Sequence, residues 1–167
     1  MTPSEQRRIG VTHPARTSGT AVLIVLLLAG VVVSVRPHVA AESDQTSKGS
    51  ALAVGQSVYA QHCAGCHGAK LEGQPDWKRR LPSGRLPAPP HDASGHTWHH
   101  PDSMLFEITK KGTAAVVGGG YESDMPGFDG VLTDEQIRAA LAFIKSQWPE
   151  RERRHQERIS QRAREAK

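Results

Sequence analysis

Apolar residues are scarce in this 167-residue chain: 37% of it is hydrophobic, and much of that share sits in one N-terminal run. So lean a domain often needs a metal, a disulfide or a large cofactor to complete its interior. Cysteine is scarcer still, with two residues three positions apart. No second pair is present to complete a zinc site. Period-two strand patterning is missing, and so is any internal repeat. No basic stripe is interleaved with aromatics, and the net charge of +4 is unevenly placed. Residues 1–41 contribute +3 through Arg7, Arg8, Arg16 and Arg36 against Glu5, which leaves +1 for residues 42–167. The basicity is therefore no argument for nucleic-acid binding.

One long apolar run is present. Residues 21–35 read AVLIVLLLAGVVVSV, and Gly19 and Thr20 extend the uncharged stretch to seventeen residues. The arginine excess before it predicts a cytoplasmic N-terminus (residues 1–18) and a remainder outside. A spanning helix needs ~20 apolar residues and tolerates ~17, whereas the apolar part of a signal peptide runs ~7–15. The expectation is a transmembrane anchor over residues 19–36, on the periplasmic face of a bacterial cytoplasmic membrane. The alternative is a signal peptide cleaved near Ala41, with Val39-Ala40-Ala41 as the small-residue site, leaving a soluble periplasmic protein.

The rest divides by composition. Residues 37–50 are polar and small, without apolar periodicity, and read as a linker. Residues 51–149 form the expected folded domain. Residues 150–167 are dominated by Arg, Glu and Gln, and read as a charged tail, a solvated helix or a disordered extension, with nothing to bury. Three helices are predicted in the domain. The first runs from about Ala51 to His62, with Leu52, Gly55, Tyr59 and Cys63 on one face. The second starts near Asp102 as N-cap and ends at Gly112 after Lys110 and Lys111. The third starts at Thr133, whose pairing with Gln136 forms a capping box. Its apolar stripe is Ile137, Leu141, Ile144 and Trp148, and Pro149 stops it. The connecting loops are rich in Gly and Pro, so something must hold them.

The most specific signal is C-A-G-C-H at residues 63–67. Two cysteines at i and i+3 on a helical turn reach both vinyl groups of a haem, and His67 is then directed at the iron as proximal ligand. A dithiol redox centre would need a βαβ context, which the pattern lacks. The motif predicts one covalent haem c.

From here the chain resembles the class I c-type cytochromes over residues 51–148. The first stretch reads G-Q-S-V-Y-A-Q-H-C-A-G-C-H-G from Gly55. The resemblance implies an all-α fold, with three main helices and Gly/Pro-rich loops wrapped around one haem. It implies that the first helix crosses the last at Gly55, with Tyr59 beside it and Phe143 as partner. Gly at such a crossing lets two backbones come close. Y-E-S-D-M-P-G-F at residues 121–128 resembles the family's loop for the second axial ligand, which makes Met125 that ligand, with Phe128 packed near the haem. A soft thioether opposite His favours ferrous iron. L-P-A-P-P-H-D at residues 86–92 resembles the loop that passes the proximal His, so the carbonyl of Pro89 or of Pro90 would accept its ring N–H. Trp98 resembles the family's donor to a haem propionate, or else it caps the core edge.

His91, His96, His99 and His100 are left over. They read as a polar loop rather than a second metal site, since His99 and His100 are adjacent and precede Pro101. The functional expectation is a non-enzymatic electron carrier working between redox proteins such as an oxidase, a reductase or a dehydrogenase. A cytochrome subunit of a larger oxidoreductase, docked through the charged tail, is the alternative, and a gas sensor a more distant one. Lys78, Arg79, Arg80 and Arg85 are a candidate docking patch for an acidic partner. No acid–base pair can be placed near the iron, and no nucleic-acid partner is expected.

Overall fold

A computed structural model describes residues 39–166. Among these the chain forms six helices and no strand. In chain order they are α1 (Val39–His62), α2 (Ala64–His67), α3 (Asp102–Lys111), α4 (Thr113–Val117), α5 (Asp134–Ser146) and α6 (Glu150–Glu165). A single 3-10 turn, Thr97–His99, precedes α3.

α1 and α5 form the frame. They cross at Gly55, where an added Cβ would lie 2.0 Å from the Ala139 carbonyl oxygen and 3.0 Å from Phe143 Cβ. One turn on, the Tyr59 ring meets Phe143 with centroids 5.5 Å apart. Two apolar clusters flank the crossing. Val58, Leu132, Ile137 and Ala140 form one, with Phe106, Phe128 and Leu141 packed against it. Tyr59, Leu71, Ile144 and Trp148 form the other, and this one reaches Cys63 and Trp98. The apolar stripe of α5 thus serves both clusters, and α5 starts where its capping box requires. Gln136 N–H donates to Thr133 Oγ1 at 3.2 Å, and Thr133 N–H donates to Gln136 Oε1 at 2.9 Å.

Three expectations differ from the structure. Residues 39–50, expected as a linker, are the first half of α1. A helix nucleated by the packed half extends at little further cost, since elongation adds one bond per residue fixed. Asp102 is not the N-cap of α3 but lies in its first turn, behind Pro101. Its carboxylate turns instead to Lys145 Nζ at 2.7 Å and Gln156 Nε2 at 2.8 Å. Burial alone would raise its pKa, but these donors and Ser160 outweigh that and hold it below the usual carboxylate range.

The third difference is the burial of the tail. Residues 150–165 form a helix, α6, as one of the two expected forms, but its Glu152, Gln156 and Ser160 are buried rather than solvated. Gln156 is fully buried and donates to Asp102 Oδ1, to Ser160 Oγ at 2.9 Å and to the His100 carbonyl at 3.3 Å. Ser160 Oγ in turn accepts the Asp102 backbone N–H at 2.9 Å. The cap of α3 therefore comes from another helix.

The expected anchor is corrected. The apolar run over residues 19–36 lies outside the described residues, and no described helix is long and apolar enough to cross a membrane. α1 has 24 residues, but Glu42, Asp44, Gln45 and Lys48 interrupt it. It also runs through Val39-Ala40-Ala41, the expected cleavage site. No described helix supports anchoring on a periplasmic face.

Two outcomes follow from this packing. Gly55→Ala should lower stability by about 1–3 kcal/mol in a denaturant titration, because overpacking against a backbone outweighs the helix propensity gained. An unchanged or raised midpoint would contradict the crossing. Gln156→Ala should cost about 1–3 kcal/mol, the penalty for leaving buried polar partners unsatisfied. A change below about 0.5 kcal/mol, ordinary for a surface position, would mean α6 is not anchored there.

Candidate haem site

The C-A-G-C-H segment is a helical turn at the end of α1. Cys66 N–H and His67 N–H both donate to the Cys63 carbonyl, at 3.1 and 2.9 Å. The turn ends at Gly68, whose φ of +82° lies in the left-handed region that glycine tolerates. Tyr59 Oη donates to the Gly68 carbonyl at 2.8 Å, which fastens the turn to α1. Cys63 is half-buried and Cys66 exposed, and both thiols are free. Burial, helped by the neighbouring Cys66, pushes the Cys63 thiol up to about 11. A thiol so reluctant to ionise is a poor redox nucleophile. Nor is there, among the described residues, a group of three or more His, Cys, Asp or Glu arranged to hold a metal ion.

His67 is buried, and its Nδ1 lies 2.8 Å from the Pro89 carbonyl oxygen. A carbonyl only accepts, so Nδ1 carries the proton and Nε2 keeps its lone pair. Burial lowers the His67 pKa, and the Pro89 bond offsets part of that. The neutral imidazole this favours is the form that ligates a metal. Of the two candidate prolines, Pro89 thus makes the contact. Pro90 has a packing role: added Cβ atoms at Gly73 and Gly95 would meet its N at 2.4 Å and its carbonyl oxygen at 2.0 Å. The loop is strapped to the post-motif segment by Gln74 N–H to Ala88 O at 2.9 Å and His91 N–H to Leu71 O at 2.8 Å.

Met125 lies between α4 and α5. Thr113 Oγ1 donates to its sulfur at 3.3 Å, and its own N–H donates to Ser123 Oγ at 3.1 Å. Its loop is pressed on the end of α3. A Cβ on Gly127 would lie 2.6 Å from the Lys111 carbonyl carbon, and Phe128 N–H donates to Thr109 O at 3.1 Å. Phe128 meets the His62 ring edge-on at 6.0 Å, immediately before Cys63. The candidate ligand loop therefore abuts the helix that delivers the haem motif.

Arg85 joins the same loop from the other side, through Nη1 to Asp124 Oδ1 at 2.5 Å and Nε to Glu122 at 3.9 Å. Its Nε is buried without a hydrogen-bond acceptor. A haem carries two propionates, and a carboxylate is the acceptor this nitrogen lacks. With the paired thiols and the free Nε2 of His67, the residues present fit a covalently bound haem. Of the other cations in the expected docking patch, Arg80 donates to the Gly84 carbonyl at 2.6 Å and Lys78 lies 4.9 Å over the Trp77 ring. The patch is partly engaged within its own loop.

Trp98 sends its indole N–H to the Ala93 carbonyl at 3.3 Å, so it already has an acceptor other than a propionate, and it packs on the second apolar cluster. The contacts of two residues already named were not foreseen from the sequence. Trp148, read only as core, also donates its indole N–H to the His91 carbonyl at 2.6 Å. His91 stacks on His67 with ring centroids 3.9 Å apart. Burial, with His67 and His96 nearby, pushes His91 down to about 3, so it stays neutral. The remaining histidines pair with aromatic rings. His96 stacks on Trp77 at 5.3 Å, and His99 lies between Trp98 at 3.7 Å and His155 at 5.5 Å.

The family model for cytochrome c matches residues 52–148, more than half of the chain. No curated protein and no solved structure matches it. The match begins within α1 and ends at Trp148, and so takes in the crossing at Gly55, the C-A-G-C-H turn, the Pro89 loop and the Met125 loop, with α6 beyond it. The chain belongs to the cytochrome c family, with a class I cytochrome fold, covalently attached haem c and haem-based electron transfer.

Proposed function

We propose that this chain is a one-haem electron carrier with His67 and Met125 as axial ligands, passing single electrons between redox proteins such as a dehydrogenase and an oxidase or reductase. When bound, the haem iron supplies the one-electron couple. The chain's residues do the rest. Pro89 accepts the His67 Nδ1 proton and so strengthens Nε2 as a donor. Thr113 occupies one lone pair of the Met125 sulfur, leaving the other for the iron. The observation that carries this reading is the fastening of the Met125 loop from three directions, by Thr113, by the Gly127 contact with Lys111 and by Arg85 with Asp124. A ligand so held need not rearrange when an electron arrives, and fast transfer calls for that.

α6 supports a second reading. It lies outside the family match, yet it is anchored through Gln156 and Ser160 and carries the exposed Arg151, Arg154 and Arg158 on its outer side. A rigid charged helix of this kind suits a cytochrome subunit seated on a larger oxidoreductase.

The visible spectrum of haem-loaded Met125→Ala tests the ligand assignment. The ferric wild type should show the weak far-red sulfur-to-iron band, and the variant should lose it and bind carbon monoxide when reduced. A variant that keeps the band would rule out Met125.

A further inference from the structure

His91 is a half-buried polar group that the electron-carrier reading leaves without a role, and it lies directly on the proximal histidine. The two imidazoles are 3.9 Å apart at their centroids and 21° from parallel. The Pro89 carbonyl holds His67 at one atom, Nδ1. A single hydrogen bond leaves a ring free to rock about that contact, whereas a flat group on its face takes the freedom away.

His91 is itself fixed on several sides. Its Nδ1 lies 2.8 Å from Oγ1 of Thr97, which is buried. Its backbone N–H reaches the Leu71 carbonyl at 2.8 Å, and its carbonyl accepts the Trp148 indole N–H at 2.6 Å. The Tyr59 ring stands edge-on at 6.2 Å. An aliphatic side chain would fill the same space without defining a plane. The imidazole defines one, and Thr97 sets its rotation.

We propose that His91 is a positioning residue: stacked on His67 and anchored by Thr97 and Trp148, it fixes the plane of the proximal imidazole and thereby the redox equilibrium of the haem. Groups outside the first ligand shell set ring orientation and tune the metal in this way. Trp148 closes the second apolar cluster at the end of α5, so the grip on the ligand plane is continuous with the packing of the frame. The inference rests on the reading of His67 as the proximal ligand.

The test uses the haem-loaded full chain and three variants, His91→Leu, His91→Phe and Thr97→Val. Two readouts are compared: the spread of the shifted haem-methyl proton resonances in the ferric protein, which follows the axial ring plane, and the midpoint potential. His91→Leu should change the methyl spread and move the ferric–ferrous equilibrium at least about threefold, about 28 mV at 59 mV per decade for one electron. Thr97→Val should act in the same direction to a smaller extent. His91→Phe keeps a flat ring and should return both readouts towards wild type. If His91→Leu and Thr97→Val load haem and match wild type in both, the proposal is overturned; it also fails if His91→Phe departs as far as His91→Leu. Should His91→Leu not load haem, the other two variants decide, since Thr97→Val leaves the stacked ring in place. A wild type whose haem lacks histidine ligation sinks the electron-carrier reading together with this one. A normal wild type with silent variants removes only the role of His91.

Discussion

The close approach of α1 and α5 at Gly55 is the constraint on which the rest of the molecule depends. With 2.0 Å between a would-be Cβ and the Ala139 oxygen, only glycine allows this crossing without a shift of backbone. The crossing fixes the course of α1, which ends at His62, immediately before Cys63. It also puts Tyr59 against Phe143, and the Tyr59 hydroxyl then holds the Gly68 carbonyl at the far end of the haem-binding turn. One helix–helix contact thus positions Cys63, Cys66 and His67 together. Everything after the turn arrives as loops that must be brought to it.

Those loops are held by polar bonds and close glycine contacts more than by apolar area. The Pro89 loop is tied to Leu71 and Gln74 through backbone pairs, and the Met125 loop to the end of α3 in the same manner. Arg85 links one loop to the other through Asp124. An exposed pair of this kind contributes about 0–1 kcal/mol by itself. Its value lies in joining two segments that each carry a candidate haem-site residue. α6 follows the same economy of apolar surface, burying Gln156 and Ser160 rather than leucines, and it holds the turn at His100 and the start of α3. Gln156 Oε1 is buried without a partner, but the bonds from its amide nitrogen and from the Asp102 N–H favour one register over others, because sliding α6 would strand those donors too.

The sequence was most legible where a local rule has a physical cause at short range. The C-A-G-C-H turn, the Thr133–Gln136 box and the Gly55–Tyr59 face are of this kind. The choice between Pro89 and Pro90 was not legible, because adjacent prolyl carbonyls differ only in direction once the loop is folded. The α6 contact was missed because burial was equated with apolar character. Glu152, Gln156 and Ser160 do recur at i, i+4 and i+8, a helical face that hydrophobicity alone does not reveal. The helical start at Val39 escaped for a related reason, since a stretch of small and polar residues carries no apolar periodicity. The stacking of His91 on His67 joins residues 24 positions apart and depends on the path of a Gly/Pro loop, which no pattern in the chain encodes. The apolar run before residue 37 was read as an anchor on length and flanking charge, and no described helix supports that reading.

A potentiometric titration of the haem-loaded wild-type protein, followed by visible absorption, tests the central claim most directly. The account predicts one reversible one-electron transition between two six-coordinate, low-spin spectra, with no ligand lost or exchanged on reduction. A spectrum that becomes five-coordinate or binds carbon monoxide freely once reduced would contradict it, because a chain that releases its sixth ligand is not built solely to carry electrons.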